Sequence, residues 1–353
     1  MSLKHDNEIL GGIQFILDAP PVSGASFSSP LWISGEDALD GDPYRIYTTA
    51  EDADADGDLS ASAKAAVAVC FQQPVPPPRV IVAAADGATT YVEALDAVRE
   101  DLYVGWAAID SRTLTDINTF GAAAAARQVG FVFQSGEGDF LTAEWPATVS
   151  SLETLEYNAV VFHPDDAAKL DIATIARNIS PNADNFSRNW TGRIAGVAPY
   201  ASGEVSTAEY ALALTNNVNL LAEFGGRPNW LYPGKMSNGR PASEIFSAQW
   251  FQVRLFERLA RLFDRYDSLN LKLPVSREGQ EAVAEEVRSQ FDQGVSAGHF
   301  QDGQLLITLP EITETDRDEQ RIPIEVALTY ETGAIKVLGS VTLSRQPVIE
   351  DEE

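Results

Sequence analysis

The sequence predicts an α/β fold, and three observations support this class. In the first half of the chain, short apolar runs alternate with helix-like segments. In the second half, two amphipathic helices follow one another. Segments in which apolar and polar residues alternate come after these helices and predict strands. The chain has 353 residues, of which 44% are hydrophobic, and this is enough for two or three domains with buried cores.

The N-terminal segment is predicted to form one strand. The stretch GGIQFILDAP places Ile13, Phe15 and Leu17 on one face of this strand. The next stretch, PPVSGASFSSP, is rich in turn-forming residues and predicts a flexible connector. The strand can therefore pair with a segment that is distant in the sequence.

An α/β layer is predicted from about residue 28 to residue 164. Its strands are the apolar runs RVIVAAAD, LYVGWAAID, RQVGFVFQ and YNAVVFHP, and its helices include TYVEALDAVRE and LTDINTFGAAAAARQ. Strands this uniformly apolar are typical of a parallel sheet that is buried on both faces. From about residue 165 to residue 239, a short helix is combined with loop-like stretches. Trp190, Trp230 and Tyr232 are expected to anchor these loops.

Two helices and two strands are predicted in the C-terminal region. The segment SAQWFQVRLFERLARLFDRYDSL repeats apolar residues at helical spacing and carries a stripe of arginines on its other face. The stripe consists of Arg254, Arg258, Arg261 and Arg265. A second helix is predicted between the capping residue Ser276 and the stop at Gly298. The segments RIPIEVALTY and AIKVLGSVTLSR then predict strands that run to about Arg345.

The arginine stripe has two interpretations that the sequence leaves open. Glu257 and Asp264 lie three or four residues from the arginines and can make a salt-bridged face in solvent. Alternatively, the guanidinium groups bind an acidic surface of a partner. The chain itself is acidic, with 52 Asp and Glu against 25 Lys and Arg and a net charge of −27. This charge repels nucleic acid and anionic membranes, so neither is expected as a partner.

The sequence predicts no catalytic site and no cofactor, so the chain is interpreted as a protein that is not an enzyme. His5, His163 and His299 are its three histidines, and no spacing typical of zinc ligands occurs. Neither a G-x-S-x-G motif nor a nucleotide-binding glycine motif is found. Cys70 lies in an apolar run and is expected in the core. Without a signal peptide or a long apolar span, the chain is expected to stay in the cytoplasm where it is made, with no insertion into membranes.

One acidic segment is a weak candidate for a cation-binding loop. The residues Asp52, Asp54, Asp56 and Asp58 have the spacing of the first half of a calcium loop, with Gly57 at its sixth position. The twelfth position is Ala63, where such a loop needs a bidentate glutamate. The alternative, which we favour, is a solvated acidic loop before a helix that begins near Leu59.

The C-terminal half resembles the contractile tail sheath proteins of bacteriophages and related injection machines. The resemblance lies in the order of the helix around Trp250–Tyr266, the link SLNLKLPVSREGQ, the helix end GVSAGHF and the segment RIPIEVALTYETGAIKVLGSVTLSR. An earlier stretch, AVCFQQPVPPPRVIVAA, also looks similar. The resemblance implies an outer α/β domain, residues 20–164, and an inner α/β domain that faces the tail tube, residues 165–340. It also implies arms, residues 1–19 and 341–353, that add strands to neighbouring subunits.

A sheath subunit would polymerise helically around a tail tube and contract, which drives the tube through the host envelope. Its implied partners are copies of itself, the tail tube protein, and the baseplate and tail terminator proteins, and its implied place is the virion tail after assembly in the host cytoplasm. The arginine stripe is then a candidate tube contact. The candidate strand-exchange residues of the arms are Ile13, Phe15, Leu17, Val341, Leu343 and Arg345. Two alternatives stay open: a tail tube or adaptor protein that forms closed rings, and a carboxylate-based hydrolase.

Overall fold

The computed structural model describes residues 27–37, 39–87, 89–179, 184, 187–200, 204–224, 227–318, 321–330, 336–337 and 341–342. These residues belong to two compact units. The large unit draws its described residues from Pro20–Pro181 and Arg188–Ile245, and the small unit draws them from Asn182–Ser187 and Phe246–Glu353. Each unit contains one sheet.

The large unit is built on a nine-stranded sheet. Its strands are β1 (Leu31–Ser34), β2 (Tyr44–Tyr47), β3 (Val80–Ala84), β4 (Trp106–Ile109), β5 (Gly130–Ser135), β6 (Asn158–Phe162), β7 (Gly192–Arg193), β8 (Asn219–Phe224) and β9 (Arg227–Tyr232). Their spatial order is β2-β3-β1-β4-β5-β6-β8-β9-β7. The strands from β3 to β8 in this order run parallel, while β2 at one edge and β9 and β7 at the other are antiparallel to their neighbours.

Helices connect these strands. They are α1 (Ala50–Ala55), α2 (Ala61–Phe71), α3 (Tyr91–Asp101), α4 (Leu114–Ala126), α5 (Leu170–Asn178) and α6 (Thr207–Thr215), with 3₁₀ turns at Leu39–Gly41, Gly138–Leu141 and Ala147–Thr154. Capping boxes fix the starts of α3 and α6, where the hydroxyls of Thr90 and Ser206 accept from the backbone amides of Glu93 and Glu209. The helices predicted from TYVEALDAVRE and LTDINTFGAAAAARQ are α3 and α4, as expected.

The central strands of the large unit are buried on both faces. On one face, Leu31 and Ile33 of β1 belong to a continuous apolar cluster that includes Phe131 and Phe133. Trp32, between them, is also fully buried. The four apolar runs of the sequence are the strands β3, β4, β5 and β6, and their uniform burial explains why they lack a polar face. The predicted α/β class is confirmed.

The small unit combines two long helices with a four-stranded sheet. Its elements are α7 (Ala242–Ser268), which belongs to this unit from Phe246 onward, α8 (Arg277–Ser296), β10 (Phe300–Thr308), α9 (Glu314–Asp318), β11 (Glu325–Tyr330), β12 (Lys336–Val337) and β13 (Val341–Thr342). The sheet order is β10-β11-β13-β12. Strand β11 pairs antiparallel with β10 and parallel with β13. The predicted cap Ser276 and the predicted stop Gly298, at φ +78°, bound α8 as expected.

Aromatic packing holds the two helices against the start of β10. The ring of Phe300 lies 5.4 Å from Phe251 of α7 and 5.6 Å from Phe291 of α8 between ring centroids. Gly294 makes this approach possible, because a Cβ atom at that position would lie 2.4 Å from the ring of Phe300. The predicted buried face of α7 is confirmed at Phe251 and at the other apolar positions, apart from the half-buried Tyr266.

The units divide at Ile245, whereas the sequence placed a domain boundary at residue 164. Strand β8 pairs in parallel with β6, and β9 and β7 then extend the same sheet, so residues 188–245 belong to the large unit. The stretch FGGRPNWLYPGKM, interpreted as a loop, contains β9. Strand β9 pairs with the neighbouring strand β8. It was not predicted, because the glycines and prolines of this stretch are typical of loops and disfavour a strand assignment.

Candidate functional site

The first arginine of the predicted stripe, Arg254, is bound within the small unit. Its guanidinium donates to both carboxylate oxygens of Asp184, at 2.7 and 2.9 Å, and to Glu257 at 3.0 and 3.1 Å. Asp184 also accepts from the indole nitrogen of Trp250 at 2.9 Å. Burial lowers the pKa of Arg254, but the hydrogen bond with Asp184 and the charge of Glu257 outweigh it, so the pKa lies above its usual value. Arg254 is therefore a structural cation.

The second arginine, Arg258, joins α7 to α8. Its guanidinium donates to the side-chain oxygens of Gln290 at 2.7 Å, Ser289 at 3.0 Å and Gln293 at 3.0 Å, and Glu286 lies 3.8 Å away. A planar guanidinium has five N–H groups and can therefore donate to several acceptors at once. The sequence could not distinguish this helix-to-helix role from a solvent-facing one, because the acceptors lie about thirty residues further along the chain.

The other half of the stripe is exposed. The side chains of Arg261 and Arg265 are 70% and 61% exposed, and each has one carboxylate neighbour, Glu257 at 3.7 Å and Glu286 at 2.7 Å respectively. Apolar side chains are exposed on the same stretch of chain, where α7 ends. We use the name α7 tip for a set of exposed residues at this end of the helix: Arg261, Phe263, Arg265, Leu269, Leu271 and Lys272.

The apolar members of the α7 tip were not singled out in the sequence. Leu269 and Leu271 are 63% and 57% exposed, and Phe263 is 39% exposed. An available signal was the link SLNLKLP, in which leucines alternate with polar residues although the segment is too short to form a buried strand. Exposed leucines beside exposed cations are a combination typical of a protein-binding surface.

The candidate cation loop is partly helical. Asp52 and Asp54 lie in α1, which starts because the hydroxyl of Thr49 accepts from the backbone amide of Asp52. The carboxylates of Asp56 and Asp58 contact the guanidinium of Arg45, at 2.9 and 2.8 Å.

The cation that these carboxylates bind is therefore an arginine of the same chain. The hydroxyl of Tyr47, the backbone amide of Asp58 and the guanidinium of Arg45 lower the pKa of Asp56. The alternative of a solvated acidic loop before a helix describes this segment only in part, because Ala50–Ala55 form α1 and the side chain of Asp56 is 15% exposed. The helix that follows, α2, is capped by Ser60. Among the described residues, no three His, Cys, Asp or Glu side chains are arranged to hold a metal ion.

His163, His299 and Cys70 are buried and make packing or hydrogen-bond contacts within the fold. His163 is buried, and its ring nitrogens lie 3.2 and 3.0 Å from the backbone oxygens of Asp165 and Ala198. His299 is stacked on Trp250, with 4.2 Å between ring centroids. Cys70 is fully buried, which raises the pKa of its thiol and keeps it protonated, so it is the predicted core residue. Over the part of the chain that the structure describes, none of the helices has the length and apolar character needed to cross a bilayer.

Of the predicted arm residues, Val341 is described and the others are not. Val341 lies in β13, where it is paired with Val326 of β11 in the same chain. Ile13, Phe15, Leu17, Leu343 and Arg345 lie outside the described residues.

On the other side of the small sheet, β10 is an edge strand. Its pairing with β11 shifts register between Phe300 and Leu305, and Leu306 on this strand is 56% exposed. An edge strand presents backbone N–H and C=O groups that another strand can pair with. Among its described strands, the small unit therefore has an edge at β10, while its C-terminal strand β13 is paired with β11 of the same chain.

Exposed charge is distributed unequally between the two units. In the described part of the large unit, Arg193 is exposed, and the other exposed charged side chains are carboxylates. The exposed cations described in the small unit are Arg261, Arg265, Lys272, Arg277, Arg288, Arg317 and Arg321. The positive charge available for contact with an acidic partner is therefore concentrated in the small unit.

The chain is similar in structure to proteins of contractile particles. It superposes on a chain of the anti-feeding prophage baseplate, solved with six-fold symmetry, with a TM-score of 0.64 and 12% identity over 100% of this chain and 99% of the other. It superposes on the contracted helical sheath of the anti-feeding prophage with a TM-score of 0.59 and 13% identity over 100% and 98%. A sheath tail protein of Listeria innocua gives a TM-score of 0.52 and 8% identity over 81% and 91%.

No protein-family profile and no curated protein sequence matches the chain. The structural similarity nevertheless covers both units, because it extends over the whole chain. The resemblance expected from the sequence is confirmed at the level of the fold. The chain has the fold of the sheath proteins of contractile tails and injection systems.

Proposed function

We propose that this protein is the structural subunit of a contractile sheath, which polymerises helically around a tail tube and contracts to drive the tube through an envelope. The observation that carries this proposal is the structural similarity to a contracted helical sheath, which covers 100% of this chain and 98% of the other. The function is mechanical, so it requires interfaces and no catalytic site. The energy for movement comes from the exchange of one set of subunit contacts for a more favourable set.

The small sheet supplies the polymer contacts in this proposal. Among the described strands, β10 lies at an edge of this sheet. In this proposal, the arms at residues 1–19 and 341–353 add strands to the sheet of a neighbouring copy. Such a contact is head-to-tail, because the arm and the edge are different surfaces. A head-to-tail contact that is repeated with a rotation and does not close builds a helix.

Removal of the N-terminal arm tests the polymer contact. We expect the chain without residues 1–19 to remain a folded monomer with an unchanged circular dichroism spectrum, and to lose sedimenting polymer. A chain that ends at Arg345 and lacks only the acidic tail is the control, and it should polymerise. If the chain without residues 1–19 polymerises as well as the full chain, strand addition by this arm is wrong.

The α7 tip is the tube contact in this proposal. Arg254 and Arg258 are engaged within the small unit, so the proposed contact consists of Arg261 and Arg265 with the exposed leucines Leu269 and Leu271. Exposed ion pairs contribute roughly 0 to 1 kcal/mol each, which suits a contact that must break when the tube moves. The small unit is then the unit that faces the tube.

Charge reversal tests the tube contact. The double variant Arg261→Glu with Arg265→Glu should fold normally and lose binding to purified tail tubes in a co-sedimentation assay. The control is Arg277→Glu with Arg288→Glu on α8, which changes the net charge equally at exposed positions outside the α7 tip. Equal loss of tube binding in both variants would mean that added negative charge repels the tube wherever it is placed, and the α7 tip would then not be the specific contact. Unchanged tube binding by the Arg261→Glu and Arg265→Glu variant would also contradict the assignment of the α7 tip as the tube contact.

The remaining partners follow from this function. A sheath grows from a baseplate and ends at a tail terminator, so we propose contacts with both, in a particle that is assembled in the host cytoplasm and forms part of a virion tail or a similar injection device. The similarity to a chain of a six-fold baseplate favours one alternative, a subunit that forms closed six-membered rings. Electron microscopy distinguishes the helical sheath from the closed ring, because closed rings have one fixed size whereas helical polymers vary in length.

A further inference from the structure

The exposed charge of the large unit is almost entirely negative. Among the residues that the structure describes there, nineteen exposed side chains are Asp or Glu, and one, Arg193, is a cation. The described part of the small unit has ten exposed carboxylates and seven exposed cations. Over the described residues, the excess of exposed negative charge therefore lies mainly on the large unit.

The half-buried cations of the large unit do not balance this charge. The guanidinium of Arg45 is shared by the exposed Asp42 and Asp58 and by a half-buried carboxylate. The guanidinium of Arg112 contacts the fully buried Asp171 at 2.6 Å. Cations used in this way do not offset the charge of the remaining exposed carboxylates.

The exposed carboxylates lie on both sides of the large sheet. Helix α3 packs on one face, as part of the apolar cluster, and exposes Glu100 and Asp101. Trp32 points to the opposite face, where its ring contacts the residue that precedes α5. Helix α5 packs against α2, and α2 packs against α1, which exposes Asp52 and Asp54. A single binding surface would place these carboxylates on one side, so their distribution indicates that they face the solvent and its ions.

Like charges on all sides of a compact unit destabilise its folded state, because unfolding moves them apart. The distance over which they repel depends on salt, and it is roughly 30 Å at 0.01 M and roughly 3 Å at 1 M ionic strength. A unit of about 200 residues has a radius of gyration of roughly 17 Å. At low ionic strength the carboxylates therefore repel one another across the whole unit, whereas in molar salt only adjacent ones do.

We propose that the large unit folds only in concentrated monovalent salt, and that the chain is therefore made and assembled in a medium of molar ionic strength. The screening ions are hydrated cations such as K⁺ or Na⁺ in the solvent layer around the carboxylates, and no specific metal site is needed. The small unit, whose exposed charges are nearly balanced, has no such requirement of its own. This salt requirement goes beyond the proposed sheath function and does not depend on it.

Dilution of the full chain from about 3 M to about 0.05 M KCl tests the requirement. Hydrogen exchange measured by mass spectrometry follows both units in one sample, through peptides of β5 and β6 in the large unit and of α8 in the small unit. We expect the β5 and β6 peptides to lose their protection at low salt, and NaCl to protect them as well as KCl does. Protection of these peptides that persists in about 0.05 M KCl would overturn the proposal.

Matched substitutions test whether repulsion on the large unit is the cause. One variant removes four exposed carboxylates of the large unit: Glu100→Gln, Glu144→Gln, Glu153→Gln and Glu223→Gln. The control removes the same charge from exposed positions of the small unit: Glu278→Gln, Asp292→Asn, Glu311→Gln and Glu314→Gln.

The measured quantity is the KCl concentration at which half of the protection of β5 and β6 is lost. The large-unit variant should lower this concentration by roughly twofold, because repulsion scales with the square of the charge. The control should stay near the unsubstituted chain. An unchanged concentration in the large-unit variant would overturn charge repulsion as the cause, and equal shifts in both variants would overturn its assignment to the large unit.

Sucrose separates charge screening from the general effect of excluded co-solvents. Sucrose stabilises compact states because it is excluded from protein surfaces, and it does not screen charge. In about 0.05 M KCl, sucrose at the osmolality of about 1 M KCl should leave β5 and β6 unprotected, and full protection there would overturn the proposal. The sheath function is tested separately, since a chain that is folded in about 3 M KCl but never polymerises, with or without tail tubes, contradicts that function and leaves the salt requirement intact.

Discussion

The two units of the molecule are stabilised by different kinds of contact. The large unit buries its parallel strands between layers of helices, and its aromatic rings pack together around Phe133. The small unit has two long helices, a short sheet and a set of guanidinium-to-carboxylate contacts around Arg254. Among its described strands, β10 lies at an edge, and the α7 tip is exposed to solvent. The large unit therefore owes its stability to one extensive apolar core, whereas the small unit relies partly on ion pairs and exposes both cations and leucines at the α7 tip.

The largest expected effect is a core truncation in the large unit. Phe133 is fully buried, and its ring centroid lies 5.5 Å from that of Phe131 and 6.0 Å from that of Phe140. We expect Phe133→Ala to lower the free energy of unfolding by about 3–5 kcal/mol, because it removes a ring and leaves a cavity. Denaturant unfolding measures this. Phe263→Ala at the α7 tip is the control and should change stability by less than about 0.5 kcal/mol, and a large loss there would mean that the tip is part of a core.

An intermediate effect is expected at Arg254 in the small unit. We expect Arg254→Met to lower the free energy of unfolding by about 2 kcal/mol, because Asp184 loses its bidentate partner. A double-mutant cycle with Asp184→Asn measures the coupling between the two residues. Arg261→Met is the matched control on the same helix and should be nearly neutral, since its side chain is 70% exposed. Equal effects at Arg254 and Arg261 would refute the division of the stripe into a structural and an exposed half.

The smallest effect is a pH-dependent one at Asp316 in the first turn of α9, whose carboxylate accepts hydrogen bonds from the hydroxyl and the backbone amide of Thr313. The hydroxyl and the backbone amide of Thr313, together with Arg321, lower the pKa of Asp316 to about 2. A lowered folded-state pKa stabilises the protein above the unfolded-state pKa, near 4, and this stabilisation is lost as the pH falls from about 4 to about 2. Asp316→Asn should therefore cost about 1 kcal/mol at neutral pH, and its difference from the unsubstituted chain should disappear near pH 2.

Thermal melts between pH 2 and pH 7 measure this difference. Asp318→Asn, an exposed carboxylate two residues further along the chain, is the control and should follow the unsubstituted chain at every pH. If the melting temperatures of Asp316→Asn and the unsubstituted chain differ by the same amount at every pH in this range, the stabilisation does not depend on the negative charge of Asp316.

The sequence predicted those elements whose pattern is local. Strands β3 to β6 are apolar runs of sufficient length, and α8 is bounded by a cap at Ser276 and a stop at Gly298. The hairpin of β8 and β9 was missed, because Gly225, Gly226 and Pro228 interrupt its alternation. Its membership of the large sheet depends on pairing with β6, which lies about sixty residues earlier in the chain.

The candidate surface was predicted in part. Spacing placed the four arginines on one face of a helix, but a spacing pattern does not reveal what the face meets. The partners that divide the stripe are Asp184 for Arg254 and Gln290 for Arg258, and both are distant in the sequence. Long-range contacts of this kind follow from the packing of the unit and leave no local signal.

The most direct test of the sheath function is electron microscopy of the full chain in negative stain, at low and high ionic strength, with and without purified tail tubes. The acidic surface of the large unit makes ionic strength a necessary variable, because salt screens repulsion between subunits. We predict hollow helical polymers of variable length, either alone at high salt or around the tubes. Closed rings of fixed size, or monomers under every condition with tubes present, would contradict the proposed function.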